Sequence, residues 1–479
     1  MKAINVEKGF RLTNARTLAL AAAFALLAIA AGALIPFVPA VVLGSVASLV
    51  AAVGLAAFRR EQFPLSPLGP VILVLLTSAF IPAVLGFLDE TPVAGLLQQD
   101  YGRAGLALLA FVVLALLIYM PETRAPKEES QPRGEHLPPE KRTGRLLLLW
   151  VGLAILAFFA LGTAAAAAGG PDAYLDGLAN RRVFFTGRAW IIWALVAPAI
   201  ASLVLLGALG KRLTHERRSV VLVVGVVGLS LAFLVATGNR MNLVTYAASL
   251  AVVVNVRVRA LRPATLLAGI LVIGAIGLTL PNLLRPTDGD PSLSTRSLTT
   301  SLEDINRLGP VGDFGHLPSL ALVMQEGSGA ELQWGRTYLA AATIGVPRAI
   351  LPDKLPTAGE VATKQLLPSL WSISGTAIQI TSVGEGYLNF GWAGIVLAAV
   401  AFGFLLRLAR MLERRRDLLA VLLYAVLLPR LALLLRGDFA NVAGYLLMEL
   451  SVLAVGLVLA QGWPRLRRSR SEQRAPVPI

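Results

Sequence analysis

The chain has 479 residues, a formal net charge of +15 and no cysteine. Apolar residues make up 56% of it and charged residues only 15%, whereas soluble domains carry about 45–50% apolar and about 25% charged residues. This composition excludes an ordinary soluble protein and predicts a polytopic membrane protein. The lack of cysteine excludes disulfides, thiolate-bound metals and cysteine nucleophiles.

Twelve apolar stretches follow along the chain, each about as long as a bilayer-crossing helix, which needs about 20 residues. The predicted spans are residues 17–35, 37–58, 68–87, 103–120, 146–168, 188–210, 219–237, 241–256, 263–280, 391–406, 418–435 and 439–461. The predicted fold class is an all-α, polytopic integral membrane protein. Its predicted segments are spans one to four in 1–120, a cytoplasmic linker in 121–145, spans five to nine in 146–280, a long outer loop in 281–384, spans ten to twelve in 385–461 and a basic cytoplasmic tail in 462–479.

Lys and Arg fall mainly in alternate connections, and in membrane proteins such basic connections face the cytoplasm. With the N-terminus inside, the inner segments hold 29 of the 43 basic residues, and 7 of the remaining 14 lie in loop 281–384. The pattern predicts a multi-pass protein of the cytoplasmic membrane with both termini cytoplasmic. Because the charge is spread over seven short inner segments, it indicates topology beside membrane lipid and argues against nucleic-acid binding.

The loop over residues 281–384 is the longest predicted connection, and loops of this length usually carry function. Its apolar stretches at residues 320–324 and 338–344 predict short helices that lie on the outer membrane face or dip into it. We therefore expect the functional residues at this outer face.

The densest polar stretch, residues 384–394, lies where this loop enters the tenth predicted span. A carboxylate such as Glu385 is costly at that depth unless it is paired or functional. Tyr387 and Trp392 suit either a sugar face or the interfacial aromatic belt. The alternative interpretation is an ordinary helix start at the membrane interface, where the helix dipole favours Glu385.

Several basic residues recur at the same predicted face. Arg240 and Arg436 adjoin apolar spans, Arg430 lies within one, and Arg348 and Lys354 lie in the long loop. Arginine grips phosphate or pyrophosphate with paired hydrogen bonds, and an arginine inside a span is a functional-site candidate by default. The alternative interpretation is that the interfacial arginines snorkel and that the loop charges are only solvated.

Asp438, two residues after Arg436, is a second carboxylate at this face, and its simplest role is an ion pair with Arg436. A carboxylate can also take the proton from an attacking hydroxyl. Three histidines (His136, His215 and His316) offer no evident metal cage, so arginines would have to supply the positive charge at a leaving phosphate. This set of residues predicts group transfer from a lipid pyrophosphate at the outer membrane face.

The run Gly384-Glu385-x-Tyr387-x-Asn389-Phe390-Gly391-x-x-Gly394 resembles the signature of oligosaccharide repeat-unit polymerases, the Wzy-type O-antigen polymerases. Other stretches along residues 237–438 resemble further motifs of that family in the same order: Thr237-Gly238-Asn239-Arg240, Gly335-Arg336-Thr337-Tyr338, Pro347-Arg348, Pro352-Asp353-Lys354 and Arg436-Gly437-Asp438. Residues 1–150 share only their hydrophobicity with the family.

The resemblance implies a GT-C-like fold and metal-independent glycosyl transfer without a cofactor. A growing glycan would pass from undecaprenyl pyrophosphate onto the next undecaprenyl-pyrophosphate-linked oligosaccharide, to make O-antigen, capsule or exopolysaccharide, with a chain-length regulator and a flippase as partners. By this resemblance Glu385 would activate the acceptor hydroxyl, and Asp438, Asp313 and His316 are the other candidates for that role. The residues implied to bind pyrophosphate, sugar or lipid head group are Arg240, Arg348, Arg430, Arg436, Lys354, Tyr338, Tyr387 and Asn389.

Two other functions fit parts of the pattern. An O-antigen ligase shares the long outer loop, but it is expected to carry a histidine there, and His316 is the one available. A lipid-linked oligosaccharide flippase or other transporter suits twelve spans with both ends inside. Transporters usually bind substrate at the midplane between matching halves, whereas here the polar residues gather at one face and a single long loop breaks the symmetry.

Overall fold

The protein is described here from a computed structural model. It describes residues 40–58, 65–76, 98–120, 139–178, 185, 188–262, 265–266, 269, 316–325, 331–344, 346, 350–374, 377–415 and 417–461. Every regular element in these ranges is a helix, which confirms the all-α prediction for this part of the chain. The predictions for the first span, most of the ninth span, most of the linker 121–145, the tail 462–479, Asp313 and Arg348 lie outside the described residues.

The helices are numbered here in chain order. They are α1 (Ala40–Phe58), α2 (Leu68–Leu75), α3 (Gln98–Tyr119), α4 (Pro139–Ala168), α5 (Pro171–Gly177), α6 (Ala189–Leu209), α7 (Arg217–Ala236), α8 (Arg240–Val253), α9 (His316–Met324), α10 (Arg336–Thr343), α11 (Ala358–Leu366), α12 (Pro368–Ser374), α13 (Ser382–Phe390), α14 (Trp392–Arg414), α15 (Leu418–Arg436) and α16 (Phe439–Gln461). A 3₁₀ turn (Gly210–Thr214) follows α6, and a π turn (Val254–Val258) extends α8.

Eight helices in the described part of the chain are long and apolar enough to cross a membrane. They are α3, α4, α6, α7, α8 with its π turn, α14, α15 and α16, and they coincide with predicted spans four to eight and ten to twelve. Helices α1 and α2 fall within the second and third predicted spans. The architecture is therefore that of a multi-pass membrane protein.

Helices α6 and α15 form the interior of the bundle, since most of their residues are buried. Helix α6 packs against α4, α7, α8 and α16. The outer helices instead expose large apolar side chains, such as Phe159 on α4, Val221 on α7 and Leu397 on α14. Because a soluble protein rarely exposes apolar surface on this scale, these faces are suited to contact with lipid.

The long helices run alternately between two ends of the bundle. At one end the Arg257 side chain donates to the carbonyl of Gly207 over 3.2 Å, and Gly207 packs against Leu418. At the other end Ser382 donates to the carbonyl of Leu434. Helices α10, α11 and α13, which belong to the segment between α8 and α14, pack at this second end, which we call the loop end.

Candidate functional site

Glu385 lies in the first turn of α13, at the loop end, and its side chain is fully buried. Helix α13 begins there because Thr381 caps it: the Thr381 hydroxyl accepts a hydrogen bond from the backbone N–H of Gly384 over 3.0 Å, as threonine commonly does at this position. The helix ends at Gly391, whose φ of +62° suits glycine. Local capping therefore makes residues 382–390 a separate short helix rather than the start of the tenth span.

Two glycines of the 384–394 stretch let α13 fold back tightly onto α14. A Cβ atom added to Gly386 would lie 2.5 Å from the carbonyl oxygen of Gly394, and one added to Gly394 would lie 1.8 Å from the carbonyl oxygen of Gly386. Both distances are far below van der Waals contact. These glycines are therefore needed for backbone packing beside Glu385.

Both oxygens of Glu385 accept hydrogen bonds from distant parts of the chain. The Thr337 hydroxyl in α10 donates to Oε1 over 2.8 Å. The backbone N–H of Phe439, the first residue of α16, donates to Oε2 over 2.6 Å. Glu385 thus joins the long loop to the connection between α15 and α16.

Asn389, one turn after Glu385, holds the residues around that carboxyl in place. Its amide nitrogen donates to the Thr337 hydroxyl over 2.7 Å and to the carbonyl of Glu385 over 2.8 Å. Its amide oxygen accepts from the backbone N–H of Gly335 over 2.9 Å. These bonds to Gly335, Thr337 and Glu385 occupy both ends of its amide. Asn389 therefore supports the site from within the protein, and its predicted contact with sugar or lipid stays a prediction.

Asp438 lies in the turn between α15 and α16 and is also buried. It accepts hydrogen bonds from the backbone N–H of Asn441 over 2.9 Å and from the Asn441 side chain over 3.0 Å. The backbone N–H of Gly359 and the hydroxyl of Thr357 also lie close enough to lower its pKa. In the described part of the chain these bonds take the place of the ion pair with Arg436 that the sequence suggests.

The two carboxyls lie close enough to interact electrostatically. Burial raises the pKa of Glu385 to about 8, and the negative charge of Asp438 adds to this, while hydrogen bonds from Phe439 and Thr337 oppose it. Burial likewise raises the pKa of Asp438. The pair therefore retains a proton at neutral pH, as expected for two carboxyls in a poorly solvated site.

Tyr338 flanks this pair from α10. Its ring packs edge-on against the ring of Phe439, with the centroids 5.8 Å apart. Burial, together with the charge of Glu385, raises the pKa of the Tyr338 hydroxyl, so it remains protonated. Of the residues predicted to form the site, the structure thus brings together four: Glu385, Asp438, Asn389 and Tyr338.

Arg436 connects this cluster to the start of α8. Its Nε donates to Gln379 Oε1 over 3.4 Å, and its Nη1 lies 3.5 Å from Met241 Sδ. Met241 follows Arg240, and Asn239 caps this helix by accepting a hydrogen bond from the Met241 N–H over 3.2 Å. The backbone of Arg240 therefore lies beside Arg436, at a helix N-terminus that favours anions. The Arg240 side chain lies outside the described structure.

Arg430 is placed differently, inside the bundle and only 2% exposed. It binds Glu449 of α16 with two hydrogen bonds, one of them 2.9 Å from Nε to Oε2, and its guanidinium lies 5.0 Å from the centre of the Tyr445 ring. The Tyr445 hydroxyl accepts from Asn239 over 3.4 Å. The charge of Arg430 is thus neutralised by Glu449 within the bundle. Through Tyr445, this pair is connected to Asn239 in the turn before Arg240.

The remaining predicted residues make no described hydrogen bond to either carboxyl. Lys354 donates to the carbonyl of Ile344 over 3.1 Å. Tyr387 is half-buried and packs edge-on against Trp392, with centroids 6.1 Å apart. His316, at the start of α9, is 2% exposed.

Two residues of this region were not predicted from the sequence. Thr337 belongs to the stretch Gly335-Arg336-Thr337-Tyr338, and nothing in the neighbouring sequence indicates that its hydroxyl binds Glu385. Glu449 had a usable signal, because a buried arginine needs an opposite charge and Glu449 is the single acidic residue of α16. No group of three or more His, Cys, Asp or Glu within the described ranges has an arrangement that could hold a metal ion.

The chain matches no known protein family, no curated protein and no solved structure in the comparisons made.

Proposed function

We propose that this protein polymerises undecaprenyl-pyrophosphate-linked oligosaccharide repeat units, at the outer face of the cytoplasmic membrane and by metal-independent glycosyl transfer. One observation carries the proposal. Three stretches that resemble polymerase motifs, residues 335–338, 384–394 and 436–438, are far apart in the sequence and meet around Glu385. Thr337 donates a hydrogen bond to Glu385, the charge of Asp438 acts on it, and Phe439, directly after the third stretch, also donates to it. Convergence on one buried carboxyl is what a shared role in a single reaction requires.

The chemistry assigned to Glu385 is proton transfer from the acceptor hydroxyl. A carboxyl whose pKa lies near 8 is a much stronger base than an ordinary glutamate, and general bases work best when their pKa lies near the working pH. In the ground state the Thr337 hydroxyl donates to Oε1. In this proposal the acceptor sugar hydroxyl replaces Thr337 as the donor and gives its proton to Glu385. Its oxygen forms the new bond to the anomeric carbon of the donor glycan, as the bond from that carbon to undecaprenyl pyrophosphate breaks and undecaprenyl pyrophosphate leaves.

The positive charge for the leaving pyrophosphate comes from Arg436 and the N-terminal end of α8. Arg436 touches Met241 in the first turn of that helix, so its guanidinium, the Arg240 residue and the helix dipole lie in one region. Such a region stabilises phosphate charge without a metal ion. Arg430 is left out of this set because it already binds Glu449.

The distribution of basic residues supports the outer face as the location. The end of the bundle opposite the loop end carries Arg212 and Arg217 around the 3₁₀ turn, Arg259 after the π turn, and Arg414 at the end of α14. By the positive-inside rule this end faces the cytoplasm. The proposal accordingly has twelve spans in a GT-C-like fold, both termini in the cytoplasm, and a flippase and a chain-length regulator as partners.

A flippase or other transporter is the second candidate, and one observation favours it. The Arg430–Glu449 pair places two charges inside the bundle, and buried charges often mark a transport pathway. Against this, the two groups neutralise each other and Tyr445 covers the guanidinium.

The test is glycan analysis in a host strain that lacks the gene. Polymerase function predicts surface glycan capped with a single repeat unit, because export and ligation continue. Polymer retained on undecaprenyl pyrophosphate would instead identify a ligase, and single lipid-linked units held on the inner face would identify a flippase. Complementation with Gly228→Ala, whose added methyl group meets open space, serves as the control for any variant.

A further inference from the structure

Trp334 has an unusual backbone conformation next to the candidate site. Its φ is +48°, and in the described ranges it is the one residue other than glycine with a positive φ. Side chains with a Cβ atom are disfavoured there, whereas glycine and asparagine adopt this conformation far more easily. The Trp334 side chain is nevertheless 73% exposed, so burial does not compensate for the strain. Neither the backbone conformation nor burial therefore favours tryptophan at this position.

The position of the Trp334 ring is fixed relative to Glu385. The backbone N–H of Trp334 donates to the carbonyl of Asn389 over 3.1 Å, and the N–H of Gln333 donates to the carbonyl of Leu388 over 3.0 Å. The ring packs edge-on against Phe390, with centroids 6.4 Å apart. All three contacts are with the C-terminal end of α13, the helix that carries Glu385. The ring thus sits on a rigid support.

Polar residues adjoin Trp334 in the sequence. Glu331 and Arg336 are both exposed, and neither forms an ion pair within the described part of the chain. Gln333 is partly exposed and donates its amide to the carbonyl of Glu331 over 2.8 Å. An aromatic face with charged and amide groups at its edge can pack against the C–H face of a sugar ring while those groups bind its hydroxyls.

The rigid attachment distinguishes a sugar-binding role from a membrane anchor. An interfacial tryptophan has only to lie at the right depth, and it gains nothing from strain or from a defined distance to Glu385. A ring that positions one sugar must instead be held relative to the reacting group, because small displacements of a substrate are expensive in rate. Strain held in place by neighbouring structure is typical of such functional positions.

We propose that Trp334 is a sugar-stacking residue, which binds a pyranose ring of the oligosaccharide next to Glu385. This inference rests on the proposed function and adds a subsite to it.

The test uses the purified full-length protein in nanodiscs and, as the probe, the repeat-unit oligosaccharide released by mild acid from the host strain's own surface glycan. Trp334→Asn keeps a residue that tolerates the left-handed backbone but removes the ring. Trp334→Phe keeps an aromatic face. The matched control is Trp190→Asn, since Trp190 is also exposed, at the start of α6.

We expect Trp334→Asn to weaken oligosaccharide binding about tenfold without lowering the melting temperature, while Trp334→Phe and Trp190→Asn bind like the wild type. Wild-type affinity in Trp334→Asn would overturn the stacking role and leave the proposed polymerase intact. Absence of binding by the wild type, together with normal long polymer in the deletion strain, would overturn the proposed function and this inference with it.

A second measurement separates sugar binding from membrane anchoring. The fluorescence difference between the wild type and Trp334→Phe reports Trp334, and brominated lipid quenches tryptophan only where the ring enters the bilayer. We expect this difference to be insensitive to brominated lipid and to change on addition of the oligosaccharide. Quenching by the lipid would place Trp334 in the membrane and overturn the inference.

Discussion

The Thr337 hydroxyl donates a hydrogen bond to Glu385 Oε1 over 2.8 Å and so joins two segments that are 48 residues apart. The same hydroxyl oxygen accepts a hydrogen bond from the Asn389 amide over 2.7 Å. Thr337 therefore holds two buried polar groups of α13 at once. Its position makes α10 part of the site, although α10 belongs to the predicted outer loop.

Removal of this hydroxyl should destabilise the protein. Thr337→Val keeps the shape of the side chain but leaves Glu385 Oε1 and one Asn389 donor bond without a partner, which costs about 1–3 kcal/mol per buried group. We expect a lower melting temperature in detergent and loss of polymer, and Thr337→Ser should retain both properties. The control is Thr343→Val, because Thr343 bonds only to its own helix, at the carbonyl of Ala340. A wild-type melting temperature in Thr337→Val would contradict this role.

Glu385→Gln should abolish polymer while the protein remains in the membrane at its normal level. The amide has nearly the same size, but it cannot take a proton from the acceptor hydroxyl. Long polymer in this variant would remove Glu385 from the proposed chemistry.

Asp438→Asn should behave differently and keep activity, with a changed pH profile. Loss of the Asp438 charge lowers the pKa of Glu385, so the acidic limb of the activity profile should move to lower pH.

The stability of the protein should fall as pH rises through the neutral range. The pKa of Glu385 is about 8 in the folded protein, against an ordinary value of 4.5. Below that ordinary value both the folded and the unfolded states hold the proton. Between the two values only the folded state holds it, so unfolding releases a proton and rising pH favours unfolding. Above about pH 8 the contribution of Glu385 is constant.

Thermal unfolding in detergent from about pH 5 to about pH 8.5 tests this dependence. We expect the melting temperature to decrease across the range in the wild type and to decrease less in Glu385→Gln. A residual slope in that variant is expected from Asp438, whose pKa burial also raises. A melting temperature that rises with pH in the wild type would contradict the predicted sign.

The spans could be predicted from the sequence because their signal is local. An apolar run of sufficient length forms a helix in lipid whatever surrounds it, and helices such as α6 and α16 begin and end within a few residues of the prediction. The contacts of the site could not be predicted in this way. That Glu385 meets Thr337 and Phe439 depends on how α10, α13 and α16 pack at the loop end, and no spacing along the chain specifies that packing.

The role of the glycines in residues 384–394 could be predicted from the sequence only in part. Glycine permits a close approach of backbone or ligand, but no pattern along the chain says what approaches. The structure shows Gly386 against Gly394, so the partner is the backbone of the next helix. The role of Asp438 differs in a similar way: the sequence suggests an ion pair with Arg436, whereas Asn441 donates two hydrogen bonds to the carboxyl.

Gly386→Ala and Gly394→Ala should each destabilise the fold. The added methyl groups would lie 2.5 and 1.8 Å from backbone carbonyl oxygens, and backbone cannot move aside as a flexible side chain can. Overpacking of this kind costs about 1–3 kcal/mol or more. We expect low yield or a lower melting temperature, whereas Gly225→Ala, whose methyl group meets open space in α7, should be neutral or stabilising. Normal stability of both Gly386→Ala and Gly394→Ala would show that α13 and α14 do not pack as described.

Variants of the Arg430–Glu449 pair distinguish a structural role of Arg430 from a role of Arg430 in binding pyrophosphate. Each group is buried against the other, so Arg430→Met or Glu449→Gln alone leaves one charge or polar group without its partner, and loss of one member of a buried pair costs about 3–5 kcal/mol. We expect both single variants to be poorly folded. The double variant Arg430→Met with Glu449→Met removes both charges, and apolar replacement of a whole buried pair is often neutral.

The double variant should therefore recover its level in the membrane, and polymer length in cells that carry it decides the role of Arg430. We expect long polymer, because the guanidinium is already bound by Glu449 and covered by Tyr445. A well-folded double variant that makes no polymer would mean that Arg430 binds the pyrophosphate after all and exchanges Glu449 for it during the reaction. The conservative variant Arg430→Lys keeps the charge but loses the second hydrogen bond, so its melting temperature should fall between those of the wild type and Arg430→Met.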